Sequence, residues 1–307
     1  MTDVHDPARS GNGLSWRVSS DRSVALERPV LMGILNVTPD SFSDGGQHFD
    51  PDRAFASALA MREAGASLID IGGESTRPGA ARVDADEQIR RVLPVIERLR
   101  DVPDVVLSID TTRRVVAERA VDAGARIIND VSAGEEDESI LRLAAERECG
   151  VILMHRLRPP ERDRYSDQYE LDEPAYNDVV ERVRTYLLGR AECAQACGVA
   201  RESIVIDPGL GFGKTVSQNY ALIDRMDELT RTGYPVLCAA SRKSFLGKVT
   251  GVETPSDRVS GSVAVSVMSY ERGVRLFRVH DIQPHREALA VAEAAGQSRT
   301  NGNWRDG

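Results

Sequence analysis

Short β-branched or apolar runs alternate along the chain with longer segments of helical period, and this alternation marks parallel βα units. Eight units are predicted. The strands are VLMGIL at 30–35, SLIDIG at 67–72, VVLSID at 105–110, RIIND at 126–130, GVILMH at 150–155, SIVIDP at 203–208, PVLCAA at 235–240 and RLFRVH at 275–280. Helices are predicted at 51–65, 85–100, 112–123, 137–148, 175–198, 217–231, 256–272 and 284–295. Asp50 before Pro51 reads as an N-cap followed by proline at the first helical position, and Gly65 and Gly124 read as C-terminal stops. An open doubly wound sheet would show the same local rhythm, but eight units favour a closed (β/α)8, or TIM, barrel. No linker divides it, so one barrel domain is expected at 30–295, with an N-terminal extension at 1–29 and a polar C-terminal tail at 296–307. The long irregular segment at 156–174 follows the fifth strand, and loops of that length are usually functional or mobile.

Composition narrows the function classes. Lys+Arg 39 against Asp+Glu 48 gives a net charge of −9, which argues against a general binder of nucleic acid or acidic membranes. No apolar run approaches the roughly twenty residues of a membrane span, and the polar start lacks the basic and apolar parts of a secretory signal. A cytoplasmic protein is expected. Cys149, Cys193, Cys197 and Cys238 read as reduced, buried structural thiols, since no second pair or histidine completes a metal site.

A barrel gathers the C-terminal ends of its strands at one mouth. Here those ends are polar: Asn36, Glu74 with Thr76 and Arg77, Asp110, Asn129 with Asp130, His155, Asp207, Ser241-Arg242-Lys243, and Arg278 with His280. Asp110, Asn129 and Asp207 suit the edge of a planar heterocycle that carries paired N–H donors and a carbonyl, as an amino-oxo-pyrimidine does. Asn36, Thr76, Arg77, Arg278 and His280 suit an anionic, oxygen-rich group such as a phosphate, and Asn36 can also give an oxygen to Mg²⁺. Two alternatives stay open: Asp207 before Pro208 also reads as a turn former, and His280 as a packed histidine. Gly213-Lys214-Thr215 imitates the end of a phosphate loop, but Pro208 stands where that motif needs its first glycine.

GILNVTPDSFSDGG at 33–46, DIGGESTRPGA at 70–80, SIDT at 108–111, INDV at 128–131, DPGLGFGK at 207–214, SRKSFLG at 241–247 and RVHD at 278–281 resemble dihydropteroate synthase. The resemblance covers about 30–295. It implies a (β/α)8 barrel enzyme, a transferase of an alkyl group other than methyl. The reaction joins 6-hydroxymethyl-7,8-dihydropterin pyrophosphate to 4-aminobenzoate for folate synthesis and releases pyrophosphate, with Mg²⁺ assisting. It also implies a pterin slot of Asp110, Asn129, Met154, Asp207, Phe212, Lys243 and Arg278, and a pyrophosphate pocket of Asn36, Arg278 and His280. Thr76 and Arg77 would lie near the reacting groups. Ser241, Lys243, Phe42, Pro78 and Leu210 would receive 4-aminobenzoate, where sulfonamides compete. Asp110, Lys243, Arg278 and His280 carry the chemistry in this reading, and no general base is nominated. Loops at 37–49 and 73–84, with Gly45, Gly46, Gly72, Gly73 and Gly79, would close over the second substrate. A homodimer is implied by the resemblance alone.

After His155 the sequence departs from the family: Arg156-Leu157-Arg158 replaces the usual Met-Gln-Gly, and the loop is several residues longer. Two other classes share pterin recognition. A pterin-binding methyltransferase domain has no need of the SRK and RVH anion pocket, and a non-catalytic pterin-binding homologue has no need of intact Asn36, Thr76, Arg77, Lys243, Arg278 and His280.

Overall fold

The computed structural model describes residues 14–38, 50–169 and 174–301. A short antiparallel pair comes first, β1 (Ser15–Arg17) against β2 (Ser23–Ala25). The eight expected parallel strands follow as β3 (Val30–Asn36), β4 (Leu68–Gly72), β5 (Val106–Asp110), β6 (Ile127–Asp130), β7 (Gly150–Met154), β8 (Ile204–Asp207), β9 (Leu237–Cys238) and β10 (Leu276–Val279). They pair in the order β8-β7-β6-β5-β4-β3-β10-β9. Ile206 N–H donates to the Pro235 carbonyl at 3.0 Å, and a parallel bridge from Ile206 to Val236 brings the two outer strands together into a barrel. β9 is shorter than the expected 235–240, and Pro235, which has no N–H, joins its neighbour only as an acceptor.

Successive strand residues face opposite sides, and this chain uses the two sides differently. Met32, Leu68, Val106, Ile127, Ile152, Val205, Leu237 and Leu276, from the eight parallel strands in turn, pack together at the barrel's N-terminal floor. Two positions further on, on the same side, come Ile34, Asp70, Ser108, Asn129, Met154, Asp207, Ala239 and Arg278. The interior therefore turns from aliphatic to polar within one pleat. The opposite side, including Ile69, Ile109, Leu153 and Phe277, packs into the larger core shared with the helices.

Residues 14–29, expected only as an extension, have a structural task. Trp16, Val18 and Leu26 join the floor cluster, and the Trp16 indole N–H donates to the Ser203 carbonyl at 2.9 Å. A Cβ at Gly150 would meet the Trp16 ring at 3.0 Å, so glycine there admits the indole.

The helices are α1 (Pro51–Ala64), α2 (Ala85–Leu99), α3 (Arg114–Ala123), α4 (Ser139–Glu146), α5 (Val179–Ala196), α6 (Val216–Asp224), α7 (Asp227–Thr230), α8 (Ser244–Thr250), α9 (Val259–Glu271) and α10 (Ile282–Asn301). Asp50 caps α1 as expected, accepting the Asp52 N–H at 2.9 Å, and Gly65 ends it in the left-handed region. Three features differ from the sequence reading. The helix expected at 217–231 breaks at Arg225, and Met226 and Leu229 are both fully buried. Helix α8 was not expected. Helix α10 runs past 295 to Asn301, since its alanine-rich stretch sustains helix through Gly296 at a cost of about 1 kcal/mol. All four cysteines are free, but only Cys149 and Cys238 are buried; Cys193 is exposed, contrary to the expected burial.

Candidate active site

Arg278 organises the centre. It lies on the inner side of β10, and its guanidinium reaches two acids on other strands. Nε donates to Asp70 Oδ2 at 2.6 Å and Nη2 to Asp110 Oδ2 at 2.8 Å. Asn129 Nδ2 donates to the same Asp70 oxygen at 2.9 Å. Asp70, Asp110 and Asn129 are all buried. The second oxygens, Asp70 Oδ1 and Asp110 Oδ1, are also buried and have no hydrogen-bond partner among the described residues. Buried acceptors left without a donor in the fold call for a functional explanation.

Asp207 ends β8 beside this group. Its Oδ1 accepts the Gly209 N–H at 2.7 Å, so the turn-forming reading is correct as far as it goes. Burial pushes its carboxyl up to about 6, although the Gly209 N–H, Lys243 and Arg278 favour the charged form. Burial also raises Asp110, with Asp70 and Asp130 adding to the shift and Arg278 opposing it. Lys243 is the second cation. Its Nζ stands 3.9 Å from the Phe212 ring centroid, a cation–π distance. Burial and Arg278 bring its ammonium down to about 8, against the pull of Asp207, Asp163 and Asp110. Met154 packs with Phe212 and Val131 beside them.

The DPGLGFGK segment is shaped by two close approaches. A Cβ at Gly209, whose φ is +67°, would lie 1.9 Å from the His155 carbonyl oxygen. A Cβ at Gly211, at φ +81°, would press on the Lys243 stem at 2.9 Å. Lys214 ties the segment from within. It is fully buried, and Nζ donates to the carbonyls of Gly209 and Phe212 at 2.9 Å each and meets His155 Nδ1 at 3.0 Å. Thr215 caps α6. The resemblance of 213–215 to a phosphate loop is therefore superficial, as its sequence indicated.

Above this floor, a cleft of about 170 Å³ is lined by Asn36, Thr76, Arg77, Pro78, Ser241, Lys243, Arg278 and His280 among others. These are the residues expected at the phosphate and second-substrate ends. His280 N–H donates to Ser241 Oγ at 3.2 Å, and Ser241 Oγ lies 2.9 Å from His280 Nδ1. The Ser241 hydroxyl can give its proton to Nδ1, and in that tautomer Nε2 carries the ring proton and donates. Burial, then Arg242 and Arg278, hold the imidazole down at about 3. His280 is thus a neutral donor at physiological pH, and the positive charge comes from Arg278 and Lys243.

Other expected positions are placed elsewhere. Leu210 is fully buried in the outer core, and Gly211 lines the cleft in its stead. Asp130 turns away to accept the N–H groups of Ser132 and Gly134. His155 faces Lys214 and Tyr186. Phe42, Gly45 and Gly46 lie outside the described residues.

Among the described residues no group of three His, Cys, Asp or Glu side chains is placed to hold a metal. The donor chemistry of the cleft fits Mg²⁺ in another way. Asn36 offers one neutral amide oxygen beside cationic groups that suit phosphate, and Mg²⁺ is commonly carried largely by substrate phosphate oxygens.

Sequence reasoning missed Asp70, Lys214 and the pair Arg242–Asp281. Asp70 had a signal: an acid flanked by Ile69 and Ile71 in a strand, two residues beyond Leu68 on the side that carries Asp110 and Asn129 on neighbouring strands. Arg242 is a non-glycine residue at φ +61°, held by Asp281 through Nε at 3.0 Å and Nη2 at 2.6 Å. Nothing local in the sequence shows that conformation.

Comparison with known proteins agrees with this geometry. The family of pterin binding enzymes matches residues 32–280. A dihydropteroate synthase of Escherichia coli is 42% identical over 91% of this chain and 96% of its own. The structure of the Xanthomonas albilineans dihydropteroate synthase with 4-aminobenzoic acid is 42% identical, with a TM-score of 0.83 over 92% of this chain and 98% of that one. That of Yersinia pestis with a sulfonamide drug is 41% identical, with a TM-score of 0.82 over 91% and 98%.

Proposed function

The chain belongs to the pterin-binding enzymes as a dihydropteroate synthase, and from that membership we propose how its residues divide the work. The reaction joins 6-hydroxymethyl-7,8-dihydropterin pyrophosphate to 4-aminobenzoate and releases pyrophosphate. One observation carries the residue assignment: two buried carboxylate oxygens, on Asp70 and Asp110, lack donors among the described residues, within a cluster that also holds Asn129 and Asp207. The N–H edge of a pterin supplies such donors.

The ring lies among Asp70, Asp110, Asn129 and Asp207, with Met154, Phe212 and the Lys243 stem as apolar walls. The carbon–oxygen bond between the exocyclic methylene and the diphosphate breaks, and its electron pair leaves with pyrophosphate. Arg278 is suited to both ends, because it contacts the acids and also lines the cleft. It steadies charge on the departing oxygens, and His280 adds a neutral Nε2–H donor. Mg²⁺, when bound with Asn36 as its protein ligand, supplies further neutralisation of phosphate charge. The aromatic amine then attacks the methylene carbon, and its proton passes to water or to the departing pyrophosphate; its weak basicity makes a dedicated strong base unnecessary. Thr76, Arg77, Pro78, Ser241 and Lys243 receive 4-aminobenzoate.

Pyrophosphate release that depends on 4-aminobenzoate tests the reading. The synthase sustains release only with the amine present, because without it the cation and pyrophosphate recombine; a methyltransferase domain or a non-catalytic binder releases none. Release at the same rate without the amine counts against the scheme. Sulfonamides are expected to compete with 4-aminobenzoate, a reading supported by the drug-bound relative. A cytoplasmic homodimer completes the proposal on family resemblance, and the mass in solution checks its oligomeric part.

A further inference from the structure

The segment after β7 that departs from the family is fastened on both sides of Tyr165. The Pro160 carbonyl accepts the Gly79 N–H of the second loop at 2.8 Å, and Glu161 pairs with Arg82 of that loop at 3.8 Å. Asp163 Oδ2 accepts the Gly213 N–H at 2.9 Å. Beyond Tyr165, the Ser166 N–H donates to Ser244 Oγ at 3.2 Å, and Asn219 Nδ2 donates to Ser166 Oγ at 3.1 Å. Asp163, Ser166 and Tyr169 are buried, whereas Tyr165 is 39% exposed. Tyr165 lines the same cleft as Arg77, Pro78, Ser241 and Lys243.

We infer that Tyr165 is a specificity-determining residue for the second substrate, an aromatic wall that packs against the 4-aminobenzoate ring and limits the bulk that ring can carry. The inference rests on the proposed second-substrate pocket around Ser241 and Lys243. Three features support it. The ring is amphipathic and needs few torsions fixed, so it gives contact area at low entropic cost. The backbone around it is anchored to both flanking walls, the second loop before it and Ser244 after it, which fixes where the side chain leaves the chain. Tyr165 shares its cleft with Ser241 and Lys243, the residues expected at the second-substrate end, so a wall here acts on that substrate.

The experiment is steady-state kinetics of the full chain with Tyr165→Ala and Tyr165→Phe. Tyr165→Ala is expected to raise KM for 4-aminobenzoate about five-fold, the scale of one aromatic contact. KM for the pterin pyrophosphate and kcat should stay within two-fold. The same variant should raise the kcat/KM of ring-methylated 4-aminobenzoates several-fold relative to that of unsubstituted 4-aminobenzoate. Tyr165→Phe keeps the ring and should behave as wild type. An unchanged KM for 4-aminobenzoate in Tyr165→Ala, or parallel changes in both KM values, overturns the inference while leaving the synthase reading intact. A wild-type chain that never releases pyrophosphate overturns both.

Discussion

Arg278 donates through Nε to Asp70 Oδ2 at 2.6 Å, across 208 residues of sequence. The contact joins the last strand of the barrel to the second, and with Asp110 it sets one guanidinium against two buried carboxylates. Two acids facing one cation leave acceptor capacity over, and that surplus is what recognises a ring rich in N–H groups.

Asp70→Asn keeps the shape and removes the charge. A hydrogen bond to a charged group is worth about 1.5–3 kcal/mol, so kcat/KM for the pterin substrate should fall roughly 10- to 150-fold. Most of that loss should appear as weaker pterin binding, measured by calorimetry. An Asp70→Asn enzyme that binds pterin as well as wild type would remove Asp70 from the slot.

Activity should depend on pH on both sides. Asp207 is protonated below about 6 and then loses its acceptor charge, so kcat/KM falls as the medium becomes acid. Lys243 loses its proton above about 8, so kcat/KM falls again in base. His280, near 3, contributes to neither limb. Lys243→Arg holds its charge at all working pH values, and its residual activity should lack the basic limb.

Arg242 turns the chain between Ser241 and Lys243 at φ +61°, a conformation that costs a non-glycine residue about 1–2 kcal/mol. Asp281 holds its guanidinium and Ser262 Oγ accepts its N–H at 2.9 Å. Asp281→Asn weakens the clamp on two site residues at once, so kcat/KM should drop about ten-fold, the equivalent of one good hydrogen bond. Arg242→Gly should be more stable than Arg242→Ala by about 1 kcal/mol in urea unfolding, because only glycine adopts this turn without strain.

Gly209→Ala places a Cβ 1.9 Å from the His155 carbonyl at a positive φ. Steric displacement and backbone strain together should cost about 3 kcal/mol or more, seen as a lowered urea midpoint. Gly189→Ala is the matched control. It lies within α5 and, apart from its own helix backbone, no atom of the described residues comes within 4 Å of the added Cβ, so it should gain about 0.5–1 kcal/mol.

The strand runs and most helices were legible because periodicity is a local property. Asp110, Asn129, Asp207 and Arg278 were legible as well, since each ends or nearly ends a strand whose direction the barrel dictates. Asp70 was overlooked because attention to strand ends passes over a residue one pleat lower. Lys214 was read only as part of an imitation phosphate loop, and only the three-dimensional turn of 207–214 sinks it beneath the carbonyls it binds. The contacts of Arg242 with Asp281, and of Pro160 with Gly79, join segments distant in sequence, so no window along the chain contains both partners.

The stopper formed by Trp16, Val18 and Leu26 bears on where this polypeptide can be cut. A version starting at Val30 would retain every parallel strand and every catalytic group, yet it would open a ring of aliphatic side chains to solvent at the base. Such a shortened version should precipitate or self-associate before it loses the chemistry at the other end. Tags and fusion partners at the front therefore need enough slack before Leu14 to leave the indole seated beneath Gly150.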